Sequence, residues 1–321
     1  MNIAFFEINP REKNYFEKNL SSHSLSFYKE PLNLENYHLA ESADVISVFI
    51  SSSLNSNILN KLPKLKAICT RSTGTDHIDT QFAQTKDIKV LSVPTYGVNT
   101  VAEHTFSLIL NLSRKINQSV DRTQRGDFSN QGLVGFDLAG KTLGIIGLGN
   151  IGIRVAELAL AFKMKVLVYT RTPKDISGIE FVNLEELLQN SHIISLHTPL
   201  TPQTKHIINS QNINQIKRGA YLVNTARGPL VETGALIKAL QEKILAGIAL
   251  DVLEEEQAIK EEKQILTDSY IELSSVKTLL LNHVLLDMDN VIITPHNAFN
   301  SKEAILEINQ KTLENILSVI K

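Results

Sequence analysis

The fold of this chain is decided by the stretch Thr142-Leu-Gly-Ile-Ile-Gly147-Leu-Gly149-Asn-Ile-Gly152. A short apolar run ends in glycines and leads directly into an apolar segment with helical spacing at residues 153–161. This order of strand, tight turn and helix is the context in which a G-x-G-x-x-G pattern indicates a dinucleotide site. Gly147 permits the turn, Gly149 lets the backbone approach a pyrophosphate, and Gly152 lets the helix pack close to the strand. The alternative is a βαβ turn without phosphate, in which the glycines serve packing only.

On both sides of this motif, short β-like runs alternate with amphipathic stretches. Before the motif, the pattern predicts strands at residues 2–6, 25–28, 44–50, 66–70 and 89–93 and helices at residues 10–20, 34–41, 54–62 and 78–85. From the motif onward, it predicts strands at residues 141–146, 165–169, 193–197, 220–224, 245–250 and 290–293. Strands that alternate with helices form parallel sheets covered on both faces. The predicted fold class is therefore α/β, with doubly wound parallel sheets.

Other segments depart from the alternation. Residues 99–116 and 302–320 are longer helical patterns. In the second of them, the residues predicted to face inward are Ile305, Ile308, Leu313, Ile316 and Leu317. Residues 119–140 are polar and contain glycines, and we expect them to bridge into the glycine-rich strand. Residues 257–289 interrupt the alternation, so we interpret them as an insertion beside the site that includes a helix at residues 274–286.

Length and composition limit the class of protein. With 321 residues, the chain can form two domains of ordinary size. A composition of 43% hydrophobic and 21% charged residues is globular, and no apolar run approaches the roughly 20 residues of a membrane span. A net charge of −2 with interspersed signs does not favour binding to nucleic acid or an anionic membrane. The single Cys69 excludes an internal disulfide and, with a start that lacks signal-peptide features, favours a cytoplasmic location.

Three of the predicted strands end in residues that suit hydride transfer to a 2-oxo acid. One leads to Arg227, whose guanidinium can bind a carboxylate through two hydrogen bonds. Another leads to Asp251 and the carboxylates at 254–256, and the last leads to His296. Open α/β sheets bind ligands beyond the carboxyl ends of their strands, so we expect these side chains to meet there. Taken singly, an ion pair, a solvated charge run and an ordinary histidine are the alternatives.

The chain resembles the D-isomer-specific 2-hydroxyacid dehydrogenases over nearly its whole length. The matching segments are Arg71-Ser-Thr-Gly74-Thr-Asp-His-Ile-Asp, Val93-Pro-Thr-Tyr96-Gly-Val-Asn-Thr-Val-Ala-Glu-His, the glycine motif, Asn224-Thr-Ala-Arg227-Gly, Asp251-Val-Leu-Glu-Glu-Glu256 and Thr294-Pro-His296. The D-lactate dehydrogenase branch is the part of the family that the chain resembles most. The features that indicate this branch are Tyr96, Phe299 and the long segment between Glu256 and His296.

The resemblance implies a role for each of these residues. His296 would donate a proton to the carbonyl oxygen, Glu256 would hydrogen-bond the imidazole and favour its protonated form, and Arg227 would bind the substrate carboxylate. Asp251 would face the nicotinamide amide. The substrate site would be completed by Thr73, Gly74, Tyr96 and Phe299. The cofactor would lie along Gly147, Gly149, Asn150, Ile151, Gly152, Thr170, Arg171, Thr172, Thr198, Pro199, Thr204, Thr225, Ala226, Arg227 and Asp251. No metal is implied.

The resemblance also implies a domain plan. A flavodoxin-like substrate domain would comprise residues 1–98 and 297–321. A Rossmann-type cofactor domain, residues 99–296, would be inserted into it, with the active site in the cleft. The helix at residues 99–116 would help to form a homodimer, and a purely internal helix is the alternative.

One position departs from the usual pattern of an NAD site. Such a site has Asp or Glu at the end of its second strand, where the carboxylate binds the ribose hydroxyls. This chain has Thr170-Arg171-Thr172 there. Without a carboxylate to repel it, a 2′-phosphate can bind Arg171 and the two hydroxyls, so we expect NADP(H) in preference to NAD(H). The alternative is that Arg171 points to solvent or stacks on adenine while NAD binds.

The predicted function is therefore the reduction of a small 2-oxo acid to a D-2-hydroxy acid by a nicotinamide cofactor. A regulatory protein that senses dinucleotides on the same fold is the alternative, and the presence of all three catalytic residues disfavours it. Chemistry like that of formate dehydrogenase is disfavoured because that branch has Gln where this chain has Glu256. Glu254 and Glu255 are expected to tolerate replacement by Gln.

Overall fold

The computed structural model describes residues 1–174, 176–256 and 273–320. The chain forms two compact units, which we call the split unit, Met1–Gly97 with Asn300–Lys321, and the continuous unit, Val98–Phe299. Each unit has one sheet, of five and seven strands, and every described strand pair is parallel. The predicted α/β class with two doubly wound parallel sheets is confirmed.

The elements follow one another in a regular alternation. The split unit begins with β1 (Asn2–Phe5), α1 (Pro10–Asn19), β2 (Ser24–Phe27), β3 (Val45–Val48), α2 (Ser56–Leu59), β4 (Ala67–Thr70), α3 (Thr80–Thr85) and β5 (Lys89–Leu91). The continuous unit contains α4 (Val98–Arg114), α5 (Ile116–Gln124), β6 (Thr142–Ile146), α6 (Asn150–Ala161), β7 (Lys165–Tyr169), β8 (Ile179–Phe181), α7 (Leu184–Asn190), β9 (Ile193–Leu196), β10 (Ala220–Asn224), α8 (Thr233–Gln241), β11 (Leu245–Leu250), α9 (Leu273–Leu286) and β12 (Val291–Ile293). The chain returns to the split unit with α10 (Lys302–Ile320).

The strand orders are those of the two common doubly wound sheets. The split unit has the order β2-β1-β3-β4-β5, which is the flavodoxin-like order. The continuous unit has the order β8-β7-β6-β9-β10-β11-β12, which is the Rossmann order with one added strand. In the continuous unit the order reverses between β6 and β9. That reversal is where an open α/β sheet binds its ligand, beyond the carboxyl ends of the strands.

Each unit has its own apolar core on both faces of its sheet. In the continuous unit, one cluster includes Leu222 and Leu236, and the other includes Phe106 and Val155. In the split unit, one cluster lies among β1, β3 and α2, and the other joins α10 to the first strands through Ile316. All four clusters are composed of residues from one unit only.

The helix predicted at residues 34–41 is wrong, because the structure has only a 3₁₀ turn at Tyr37–Ala40. Side-chain hydrogen bonds just before this turn account for the difference. The side chain of Asn33 accepts the N–H groups of Glu35 and Asn36, and the side chain of Asn36 accepts the N–H of Asn33. Such bonds compete with the hydrogen bonds of a helix. At α1 the same chemistry marks a start, because Asn9 and Glu12 form a capping box.

The structure agrees only partly with the predictions for residues 119–140 and 257–289. The polar stretch predicted at residues 119–140 begins inside α5, which the chain enters through Lys115 in the left-handed region at φ 53°. No residue of α5 is buried, so this helix lacks the buried apolar stripe by which a sequence pattern is recognised. The helix predicted at residues 274–286 is confirmed as α9. Residues 257–272 of the predicted insertion lie outside the described residues.

The buried stripe of α10 advances by four residues at a time. Its buried side chains are Ala304, Ile308, Asn309, Thr312 and Ile316. The prediction is confirmed for Ile308 and Ile316 but wrong for Leu317, which is 40% exposed. Counting apolar residues alone missed the small and polar members of this stripe.

Candidate active site

His296 and Glu256 are in contact at the carboxyl edge of the seven-stranded sheet. Glu256 follows β11 and His296 follows β12, and these two strands are neighbours. Nδ1 of His296 lies 3.1 Å from Oε2 and 3.3 Å from Oε1 of Glu256. The two side chains are 20% and 22% exposed, so the pair remains accessible. With a carboxylate at Nδ1, Nε2 is the ring nitrogen that can exchange a proton with a substrate.

A buried carboxylate organises the turn that carries His296. His296 has φ 53°, in the left-handed region that non-glycine residues rarely adopt. Asp251 is 1% exposed, and its carboxylate accepts the N–H groups of Asn297 at 2.8 Å and Ala298 at 2.9 Å. Its backbone carbonyl accepts the N–H of His296 at 2.9 Å. The turn, which continues to the half-buried Phe299, is thus fastened to Asp251 by three hydrogen bonds.

Two further side chains contact the Asp251 carboxylate. The hydroxyl of Thr294 donates to Oδ1, and Nε2 of His104 lies 3.4 Å from the same oxygen. Burial acts to raise the pKa of Asp251, but hydrogen bonds from His104, Thr294 and the two backbone amides outweigh it and lower the pKa below 3.8. Asp251 is therefore a charged anchor. That it also faces the nicotinamide amide stays a prediction.

Arg227 follows β10, which is the other neighbour of β11. The side-chain amide of Asn224 donates to the carbonyl of Arg227 at 2.8 Å and closes the turn after the strand. A Cβ at Gly228 would lie 2.0 Å from the carbonyl oxygen of Leu253, so the chain after Arg227 passes directly against the segment that leads to Glu256. The absence of a side chain at Gly228 therefore allows two strand ends that carry site residues to touch.

The glycine motif forms a cradle that fits a dinucleotide. Gly147 has φ 98°, and a Cβ there would lie 2.6 Å from the carbonyl oxygen of His197. A Cβ at Gly152 would lie 2.2 Å from the carbonyl oxygen of Gly147. Gly149, the N-cap of α6, has open space at its Cβ position and no side chain to bond the first N–H groups of the helix. Open space beside a helix N-terminus suits a pyrophosphate.

The other predicted cofactor residues lie beyond the carboxyl ends of strands in the same sheet. They are Thr170, Arg171 and Thr172 after β7, Thr198 and Pro199 after β9, and Thr225 and Ala226 after β10. Asn150 and Ile151 are in the first turn of α6. Thr204 bonds within its own turn, since its hydroxyl donates to the carbonyl of Pro199 at 2.6 Å. The fold thus brings this set to one edge of the sheet.

The split unit holds the remaining predicted substrate residues. Thr73 and Gly74 follow β4, and Tyr96 follows the neighbouring β5. The hydroxyl of Thr73 donates to the carbonyl of Val93 at 2.8 Å, and that of Ser72 donates to the carbonyl of Gly74 at 2.7 Å. Within the described ranges, no hydrogen bond engages the backbone N–H of Thr73 or Gly74. These two donors are suited to a carboxylate.

Glu254 does not have the solvated surroundings of the alternative, a charge run at residues 254–256. Its Oε1 lies 2.6 Å from Nε2 of His206, and its Oε2 accepts both the N–H and the hydroxyl of Thr233 at 2.7 Å. Glu255, in contrast, is exposed. His206 is 48 residues away along the chain, so the sequence gives no signal for this contact.

The described residues lack two other kinds of feature. Nowhere among them do three or more His, Cys, Asp or Glu side chains cluster as they would around a metal ion. None of the helices described is both long enough and apolar enough to cross a membrane.

Known proteins are similar to this chain over almost its entire length. Residues 106–298 match the family model "D-isomer specific 2-hydroxyacid dehydrogenase, NAD binding domain". The chain is 37% identical over 326 residues to "2-hydroxyacid dehydrogenase homolog 1" of Schizosaccharomyces pombe, which covers 98% of this chain and 95% of that protein. It is 31% identical over 328 residues to the D-lactate dehydrogenase of Escherichia coli, with 100% and 97% covered. The solved structure of D-lactate dehydrogenase from Aquifex aeolicus, complexed with NAD and lactic acid, matches with a TM-score of 0.90 at 36% identity, covering 99% of this chain and 95% of that one.

Proposed function

Because the chain belongs to the D-isomer-specific 2-hydroxyacid dehydrogenases, we propose that it reduces a small 2-oxo acid to the D-2-hydroxy acid with a nicotinamide dinucleotide. The observation that carries this proposal is the contact of 3.1 Å between His296 and Glu256 at the carboxyl edge of the sheet. The glycine cradle at the same edge fits the cofactor that the reaction needs. The reverse reaction, oxidation of the hydroxy acid, uses the same residues.

The chain's own residues handle charge and the proton. When bound, the nicotinamide ring supplies the hydride. Arg227 binds the substrate carboxylate and polarises the carbonyl, since a guanidinium forms strong paired hydrogen bonds to a carboxylate. Nε2 of His296 donates the proton to the carbonyl oxygen, and Glu256 stabilises the protonated ring through Nδ1. The backbone N–H groups of Thr73 and Gly74 are assigned to the substrate carboxylate.

The substrate assigned first is pyruvate, which would make the product D-lactate. Support comes from the similarity to D-lactate dehydrogenases and from the aromatic residues Tyr96 and Phe299. Both aromatic side chains are half-buried, and we assign them to the side group and carboxylate of the acid. Pyruvate carries only a methyl group, so larger 2-oxo acids are the natural comparison.

The experiment that tests this function is a steady-state assay of the purified protein. Pyruvate, glyoxylate and 2-oxo acids with larger side groups are reduced with NADH and with NADPH, and the configuration of the product is determined. We expect turnover of at least one small 2-oxo acid to the D product. Binding of a dinucleotide without turnover of any acid would instead indicate a regulatory, dinucleotide-sensing protein.

The cofactor assigned is NADPH in preference to NADH. After β7 the chain has Thr170-Arg171-Thr172, and Arg171 and Lys174 are both exposed. A carboxylate is absent from the end of this strand, where an NAD site has one. The 2′-phosphate is charged about −2 at neutral pH, like other phosphate monoesters, and a guanidinium stabilises it.

We also propose that the chain forms a homodimer and that it is located in the cytoplasm. In the segment that follows α5, the apolar side chains of Phe128 and Val134 are 83% and 84% exposed. A second copy of the chain would cover them, which sedimentation or light scattering of the purified protein tests.

The only cysteine, Cys69, is buried, and burial raises its pKa to about 12, so it is an unreactive thiol. Fractionation of the source cells tests the location.

A further inference from the structure

We propose that Glu254 is a positioning residue, which holds Glu256 against His296 by fastening the segment after β11 to the start of α8. This inference rests on the roles proposed above for Glu256 and His296. It concerns a side chain that does not touch the substrate or the cofactor in that mechanism. We call the group formed by Glu254, His206 and Thr233 the clamp.

Both carboxylate oxygens and the backbone carbonyl of Glu254 accept hydrogen bonds. Oε1 pairs with Nε2 of His206 at 2.6 Å, and Oε2 accepts the N–H and the hydroxyl of Thr233 at 2.7 Å each. The backbone carbonyl accepts the side-chain amide of Asn282, a buried residue of α9, at 2.8 Å. Glu254 therefore connects the segment after β11 to a turn, to α8 and to α9.

Hydrogen-bond donors surround the carboxylate of Glu254. Its side chain is 14% exposed, and its hydrogen bonds come from donors only. Thr233 is the first residue of α8, and the N-terminus of a nine-residue helix carries partial positive charge that favours an anion. Hydrogen bonds to an ionised acceptor are stronger than those between neutral groups.

The clamp also involves the strand end that carries Arg227. The backbone N–H of His206 donates to the carbonyl of Pro229 at 2.8 Å, two residues beyond Arg227. Gly228 lies against the backbone of Leu253 and Glu254, as the distances of its Cβ position show. The ends of β10 and β11 are therefore held together at one place, and Glu254 supplies the charged group there.

The residue between Glu254 and Glu256 explains how neighbouring carboxylates engage different partners. Glu255 has φ 52°, in the left-handed region. The chain changes direction there, so that Glu254 bonds α8 while Glu256 contacts His296. A non-glycine residue keeps such a conformation only when its surroundings fix it. Loss of the clamp would free this backbone and with it Glu256.

A simple helix cap would use the same contacts, so the test needs a readout that a cap does not move. That readout is the alkaline limb of the pH profile for reduction of the 2-oxo acid. Reduction needs a protonated His296, and the contact with Glu256 favours that form. Any change that moves Glu256 away from His296 therefore shifts the limb to lower pH, as Glu256→Gln itself does.

The experiment compares Glu254→Gln with Glu256→Gln, with the double variant and with Glu255→Gln as the matched control. We expect Glu254→Gln to lower kcat about 10- to 100-fold, which is the effect of misplacing a group by about 1 Å, and to shift the limb to lower pH. Glu255→Gln removes the same charge from an exposed neighbour and should change neither. Because Glu254 acts through Glu256, the double variant should behave like Glu256→Gln alone.

A second pair of variants tests the clamp from its other side and serves if Glu254→Gln does not fold. His206→Leu removes the donor to Oε1 and should reproduce the loss of kcat and the shift of the limb. His206→Gln keeps an N–H donor and should restore both toward the wild type.

Three results would overturn the clamp. The first is a lowered unfolding temperature of Glu254→Gln with wild-type kcat and limb, which a helix cap predicts. The second is a double variant whose effects add. The third is an alkaline limb of the pH profile that does not move in Glu256→Gln. That result would contradict both the role of Glu256 and the role of the clamp. The first two leave the proposed mechanism intact, so the failures are distinguishable.

Discussion

Three acidic residues of one short segment have three different surroundings. Asp251 is buried and bonds the turn that carries His296, Glu254 bonds the start of α8, and Glu256 contacts the imidazole. The motif Asp251-Val-Leu-Glu-Glu-Glu256 could be connected with catalysis from its place after a strand. The family resemblance also implied the contact of Glu256 with His296. The bonds of Asp251 to the turn after His296 and of Glu254 to α8 were not predicted, because those partners are distant in the chain. Residue types indicated the chemistry, and the fold shows the neighbours of Asp251 and Glu254.

The first prediction concerns the proton donor. His296→Gln should lower the rate of 2-oxo acid reduction by about 10²–10⁴, the usual effect of removing a positioned general acid. Binding of the dinucleotide should remain nearly unchanged, since the cradle lies on other strands. Steady-state kinetics and calorimetric titration measure the two effects. Near-normal turnover would contradict the role of His296.

The second prediction concerns the choice of cofactor. Arg171→Ala should weaken NADPH binding by about ten-fold to over a hundred-fold, since a hydrogen bond to a charged group is worth about 1.5–3 kcal/mol. NADH binding should change little. Thr170→Asp should go further, because a carboxylate repels the 2′-phosphate and accepts the ribose hydroxyls of NADH. Dissociation constants of both cofactors for each variant provide the measurement. If the wild type already binds NADH about ten-fold more tightly than NADPH, Arg171 does not recognise the phosphate.

Whole elements were predictable where hydrophobic period and glycine placement agree. β6, the glycine turn and α6 match the sequence pattern, and so does α9. The 3₁₀ turn at Tyr37–Ala40 was not predictable from period, because side-chain bonds of Asn33 and Asn36 decide it. The buried stripe of α10 includes Asn309 and Thr312, which a count of apolar residues passes over.

The third prediction separates the packing role of the glycine turn from its binding role. Gly152→Ala places a Cβ 2.2 Å from the backbone carbonyl of Gly147, so the turn must shift, and we expect the free energy of unfolding to fall by about 1–3 kcal/mol. Gly149→Ala meets open space and should lower stability less than Gly152→Ala does. It should nevertheless weaken the dinucleotide, which needs that space. Denaturant unfolding and titration of both variants test the pair. Equal stability of the two variants would contradict the packing role of Gly152.

The fourth prediction concerns the turn that Asp251 holds. The pKa of Asp251 is lowered in the folded protein, so its contribution to stability is present above the unfolded value near 3.8 and is lost as pH falls through the folded value. Wild type should therefore be more stable than Asp251→Asn at neutral pH, and the difference should shrink as the pH falls below about 4. Urea unfolding at several pH values measures it. A difference that does not depend on pH would mean that the charge of Asp251 is not what holds the turn.

At the scale of the whole molecule, the alternation of strands and helices was enough to predict two doubly wound sheets. It was enough because each unit repeats one local rule, a strand followed by a helix that packs back on the sheet. The placement of α10 in the split unit does not follow from this rule, and in the sequence it was implied only by the family resemblance. Its sequence is that of an ordinary amphipathic helix, and only packing shows that Ile316 belongs to the same cluster as Phe5 and Phe16.

The last prediction follows from this distribution of cores. The fragment Val98–Phe299 contains two apolar clusters, one on each face of its sheet, and among the described residues none from the split unit belongs to either. We expect this fragment to fold cooperatively and to bind the dinucleotide within about ten-fold of the full chain, a difference of about 1.4 kcal/mol. It should not reduce a 2-oxo acid, because Thr73, Gly74 and Tyr96 are absent. The same fragment with Gly149→Ala is the control and should fold but bind weakly.

A fragment 1–97 without α10 should be unstable, because it exposes the cluster that Ile316 completes. Circular dichroism, thermal unfolding and titration test all three, and a fragment Val98–Phe299 without a cooperative transition would show that its clusters do not suffice.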